Sequence, residues 1–108
     1  MTEITKGLIV QLEAKSGRER ELERFLIDAQ PLVEQEPGTV AWFAFRTGPT
    51  SFGIFDVFPG EAERNAHLSG PVAAALLERA DDLLAAPPQI VHADALVARM
   101  ARDSGSLE

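Results

Sequence analysis

The segment Thr39 to Phe58 constrains this chain more than any other. Two runs rich in β-branched and aromatic residues, Thr39–Thr47 and Thr50–Phe58, flank a Gly48-Pro49 turn signal. That pattern predicts an antiparallel hairpin. Trp42, Phe43, Ala44, Phe45, Phe52, Ile54, Phe55 and Val57 place apolar groups on both faces of it, whichever register it adopts. Side chains alternate across a strand, so both faces of the resulting sheet need a cover. Helices from the same chain can supply one. A second copy across a two-fold axis is the simplest cover for the other, because the bare face exceeds what soluble monomers tolerate.

The rest of the chain supplies the helices. Gly7 to Ala14, with Leu8, Ile9 and Val10 in succession, reads as a central strand. After Lys15-Ser16-Gly17, the residues Leu22, Phe25, Leu26, Ala29, Leu32 and Val33 recur at helical spacing. Pro31 is expected to kink or restart this helix, and Glu36-Pro37-Gly38 to stop it. Pro59 ends the hairpin. Glu61 to Leu68 forms a short helix, and Ser69-Gly70-Pro71 opens another with Pro71 at its first position. Its stripe of Val72, Leu76, Ala80 and Leu83 closes before Pro87-Pro88, and Gln89 to Met100 reads as the last strand. The order is βαββαβ with a split second helix. This is a ferredoxin-like α+β fold: a four-stranded antiparallel sheet carrying its helices on one face. Residues 1–100 are expected to form one domain. Residues 101–108 read as a polar, disordered tail whose Leu107-Glu108 resembles a cloning scar.

Composition removes several classes of function. A net charge of −7 without a Lys/Arg cluster argues against nucleic acid. The absence of cysteine excludes thiolate catalysis and Cys-ligated metals. No His or carboxylate group has metal-ligand spacing, and no Gly-rich loop offers a phosphate cradle, so no metal or cofactor is expected. Ser16, Ser51 and Ser69 lie in no nucleophile elbow. The N-terminus lacks a signal-peptide pattern, and no apolar run approaches the roughly eighteen residues of a membrane span. The expectation is a cytoplasmic protein that uses neither membrane nor nucleic acid.

Candidate chemistry concentrates between Phe52 and Pro71. Asp56 is an unusual occupant of an apolar strand and needs a partner if it faces the core, with His67, Arg46 and Arg64 as candidates. His67 lies near the end of the short helix. Its imidazole suits a general base, and equally a cap on free helix carbonyls. Asp56 either orients His67 or a substrate, or serves a structural ion pair. Among the aromatics, most read as core, while Phe58 and Trp42 are the candidates for holding a planar ligand. His92, alternating with Val91 and Ala93, reads as an ordinary sheet residue.

The first strand Gly-Leu-Ile-Val-Gln-Leu-Glu-Ala-Lys, the Glu-Pro-Gly-Thr at 36–39 and the block from Phe52 to Pro71, with its Ala-His-Leu step before Ser-Gly-Pro, together resemble the antibiotic biosynthesis monooxygenase family. The resemblance implies a dimeric α/β barrel, a homodimer of two sheets packed face to face with a pocket in each subunit. It also implies a cofactor-independent monooxygenase that oxidises a quinol or related aromatic with O2. His67 would then be the base, Asp56 its orienting group, and Trp42 and Phe58 the holders of the ring. The alternative is a non-catalytic dimeric module that binds a small apolar metabolite or serves assembly alone. A haem-degrading branch of the same fold relies on an Asn, a Trp and a His. Here Phe58 stands about where that Trp belongs, the helix from Val72 to Ala85 has no histidine, and Gln11 is the first strand's amide. Haem degradation is disfavoured.

Overall fold

The computed structural model describes residues 3–101. Its elements run β1 (Lys6–Glu13), α1 (Glu19–Val33), β2 (Ala41–Arg46), β3 (Ser51–Phe58), α2 (Glu61–Leu68), α3 (Pro71–Leu83) and β4 (Gln89–Asp94). The four strands form one antiparallel sheet in the order β2-β3-β1-β4, with the three helices making the ferredoxin-like α+β fold. The expected tail 101–108, with Leu107-Glu108, lies outside the described residues apart from Ala101.

Register follows from alternation. Leu8, Val10 and Leu12 of β1 are buried, and so are Phe52, Ile54, Asp56 and Phe58 of β3. Val10 pairs with Ile54 and Leu12 with Phe52, so these residues line one face. Leu22 and Leu26 of α1 and Leu76 and Leu83 of α3 pack against them in the main core. A smaller cluster of Ala29, Val33 and Val72 continues it, and Trp42 packs against both.

The other face of the sheet carries no helix. Ile9, Phe43, Phe45, Phe55 and Val91 stand there with exposures between 40% and 54%. Phe43 and Phe45 stack with ring centroids 6.1 Å apart, and Phe43 sits directly across from Phe55. β1 is therefore covered on one side only within the chain, where the apolar run Leu8-Ile9-Val10 predicts cover on both.

Two boundaries differ from the sequence reading. α1 runs through Pro31 without a restart, because Pro31 falls in its last turn and few backbone bonds remain to be lost. β4 stops at Asp94 rather than Met100. Its ladder partner β1 begins at Lys6, opposite Asp94, so later residues have no strand to pair with. Ala95 makes one more backbone bond, to the Thr5 carbonyl, and Leu96 and Val97 are then left almost wholly exposed.

Candidate functional site

Asp56 sits on the helix-facing side of β3, between Leu8 of β1 and Trp42 of β2 in the ladder. It is 1% exposed. The Pro59-Gly60 break turns the chain immediately into α2, whose last turn brings His67 beneath the strand. His67 Nε2 lies 3.0 Å from Asp56 Oδ2. The approach misses the alignment of a full hydrogen bond, and both Asp56 oxygens are otherwise without a partner. Of the three cations considered for Asp56, His67 is the one that meets it. Arg46 is held by Glu23 and by the Gly48 and Pro49 carbonyls. Arg64 is buried and donates to the Gly7 and Ala93 carbonyls, clamping β1 and β4.

The second ring nitrogen of His67 meets a residue not singled out from sequence. Glu36 Oε1 lies 2.6 Å from Nδ1 and also accepts the Thr39 hydroxyl at 2.8 Å. A carboxylate only accepts, so Nδ1 carries a proton. Burial by itself pushes the His67 pKa down. The close approach of Asp56 and the hydrogen bond to Glu36, reinforced by both charges, outweigh it and hold the imidazole above its ordinary value. With carboxylates at both nitrogens the ring makes no cap on helix carbonyls. The end of α2 is closed instead by Ser69, whose N–H and hydroxyl both reach the Asn65 carbonyl.

Close packing holds this arrangement. A Cβ on Gly38 would stand 2.8 Å from the Glu63 side chain, so the turn after α1 can lie against α2 only as glycine. A Cβ on Gly70 would lie 3.1 Å from the Ala66 carbonyl and 3.4 Å from Glu36 Oε2. Glu36, in the α1–β2 connection, is thereby packed closely against the α2–α3 junction.

Asp56, His67 and Trp42 line one internal cavity of about 40 Å3, whose other walls are apolar, among them Leu8, Phe25, Ile54 and Leu76. The Trp42 indole N–H is buried and has no hydrogen-bond partner. Phe58 does not line this cavity. It is wholly buried and tilts against the His67 ring at 5.4 Å, holding the imidazole rather than an internal ligand. Trp42 also forms part of an outer groove of about 370 Å3 beside α1, with Gln30, Phe45 and Arg46. One indole is thus a wall common to groove and cavity. On the far side, His67 and Glu36 border an outer cleft of about 390 Å3 with Pro37, Glu63 and Pro71.

A crystal structure of a protein of unknown function from Nitrosomonas europaea is 46% identical, with a TM-score of 0.91, and the match covers 95% of this chain and 100% of that one. The chain belongs to the same family as that protein. More distant folds agree in shape. A second Nitrosomonas europaea structure, named as a putative antibiotic biosynthesis monooxygenase, is 16% identical at a TM-score of 0.77 over 89% of this chain and 94% of its own. A Caulobacter crescentus structure of the same name is 18% identical at 0.75, over 88% and 92%. At such identities the likeness is one of fold. No family model matches the sequence. No curated protein matches it either.

Among the described residues, no group of three or more His, Asp or Glu side chains is placed to hold a metal. No described helix is long and apolar enough to cross a membrane. Sequence alone does not mark Glu36 as a site residue, because it lies 31 residues from His67 and reads as a helix stop. Its only sequence signal was a carboxylate fixed ahead of a Pro-Gly turn.

Proposed function

We propose that the protein is a cofactor-independent monooxygenase of the antibiotic biosynthesis type, acting on a quinol or related hydroxy-aromatic. The observation that carries this reading is the Asp56 carboxylate, met by His67 alone, in an apolar cavity that is also lined by Trp42, whose buried indole N–H has no partner. A phenolic hydroxyl matches the pair, since its O–H donates to Asp56 while its oxygen accepts from the indole. The names of the two distant relatives point the same way.

In this reading the roles expected for the two acid–base residues change places. With a carboxylate at each nitrogen and its pKa held up by them, His67 serves here as the imidazolium, so Asp56 is the base and His67 the cation beside it. Asp56 takes the hydroxyl proton, and the substrate anion, now electron-rich, reduces O2. One oxygen atom joins the ring and the other leaves as water, all four electrons coming from the substrate: quinol plus O2 yields a hydroxylated quinone plus water. Apolar walls keep bulk water from the anion and strengthen the local electrostatics. Trp42 is the ring-holding group. A cavity of about 40 Å3 admits one to three waters but no aromatic ring, so substrate enters by displacing the Trp42 wall from the outer groove.

The bare sheet face supports a second copy of the chain as the partner. Two copies pack Ile9, Phe43, Phe45 and Phe55 against each other, forming the homodimer of an α/β barrel.

The small cavity favours a second reading, an assembly module in which Asp56 and His67 are a buried structural pair. Oxygen uptake with a panel of quinols separates the two. The enzyme reading expects uptake in air, substrate unchanged under argon, and one atom of 18O2 in the product. A panel of quinols that is never oxidised above the protein-free rate favours the assembly module.

A further inference from the structure

We propose that Glu36 is a positioning residue of this site, which holds His67 as the imidazolium so that a cation remains beside the cavity when Asp56 has taken the substrate proton. The inference rests on the reading of Asp56 as the base.

Charge accounting gives the reason. Before transfer the site holds two carboxylates, one imidazolium and a neutral hydroxyl. After transfer Asp56 is neutral and the substrate is the anion. The net charge does not change, but the imidazolium loses its inner partner and gains the substrate anion as a neighbour. A cation already in place costs no reorganisation as that charge develops. His67 can play this part only if something other than Asp56 keeps it protonated, because protonated Asp56 no longer does.

Glu36 is built for that task. It reaches Nδ1, the nitrogen facing away from the cavity, at 2.6 Å, while Thr39 fixes the same oxygen and Gly70 leaves room for the other. It lies on the outer cleft, outside the cavity lining, so it holds the ring without touching substrate. The other charged groups around His67 do not substitute for it. Arg64, three residues earlier on α2, is committed to the Gly7 and Ala93 carbonyls. Glu63 lines the cleft but makes no ion pair with the ring. α3 contributes only Pro71, Val72, Ala73 and Leu76, and its N-cap Gly70, to the two cavities that His67 borders.

Glu36→Gln keeps an acceptor for Nδ1 and removes the charge. The expected result by NMR is a His67 titration moved to lower pH. With an active quinol, kcat falls about 10–100-fold, by analogy with the loss of a carboxylate that holds a metal-bound histidine, while KM changes little. The alkaline limb of kcat moves to lower pH with the NMR titration, because the working form carries the proton. Glu36→Asp, which retains the charge, recovers much of both. An unmoved His67 titration overturns the proposal, as does a moved titration with kcat and its alkaline limb unchanged. Should wild-type protein oxidise no quinol, the base reading fails on that result alone, and the NMR arm still decides whether Glu36 holds the imidazolium. Should Glu36→Gln not fold, Glu36→Asp and Thr39→Val carry the titration, the first expected near wild type and the second lowered; no shift in Thr39→Val then counts against the proposal.

Discussion

Asp56→Asn lowers turnover of an active quinol by on the order of 10²–10⁴, the range for loss of a general base. Asn has the shape of Asp and can still accept a hydrogen bond, so the cavity and its packing against Leu8 and Trp42 survive. What disappears is the group that receives the proton. KM should move far less than kcat, since binding through Trp42 and the apolar walls remains. Stability changes in a direction set by His67. Its pKa is raised in the folded protein, so its contribution is complete below the unfolded pKa and fades as pH rises through the folded one. Removing Asp56 therefore costs more stability in mildly acid than in alkaline solution, and urea melts at two pH values check this. Turnover that survives in a folded Asp56→Asn protein would remove Asp56 from the chemistry and return it to the structural ion pair.

The second large effect concerns assembly. Phe43 and Phe55 are cross-strand partners on the helix-free face, 49% and 40% exposed. Phe43→Glu with Phe55→Glu puts two carboxylates where the proposed dimer is driest. Burying an unpaired charge costs several kcal/mol, and about 1.4 kcal/mol is tenfold in affinity. The double variant should weaken self-association by about 10³-fold or more and sediment as a monomer at micromolar concentration. Its helix-side core is untouched, so far-UV circular dichroism should match wild type. A wild-type protein that already sediments as a monomer contradicts the dimer, and an unchanged double variant moves the interface to another surface.

The fold was legible because its signals are local and repeated. The alternation of Phe52, Ile54, Asp56 and Phe58 sets which face of β3 meets the helices, and the Pro59-Gly60 and Gly70-Pro71 breaks set the lengths of α2 and α3. The same alternation, pressed further, puts Phe58 wholly inside, where it packs on His67 instead of reaching the cavity. Asp56 and His67 could be named from sequence because a carboxylate in an apolar strand and a rare histidine are conspicuous. Glu36 could not, being one of many glutamates in an acidic chain until tertiary packing brings the turn after α1 against α2. The end of β4 was obscured for a related reason. Strand-forming residues continue to Val97, but a strand needs a neighbour, and β1 has ended.

The cavity beside Asp56, His67 and Trp42 should ionise a hydroxy-aromatic. A nitrophenol is coloured as its phenolate, so its difference spectrum under argon reads ionisation without any oxidation. At a pH below the free nitrophenol's ionisation, wild-type protein should give a saturable phenolate band and Asp56→Asn none. No bound phenolate with wild type, or an equal band with both, would contradict it.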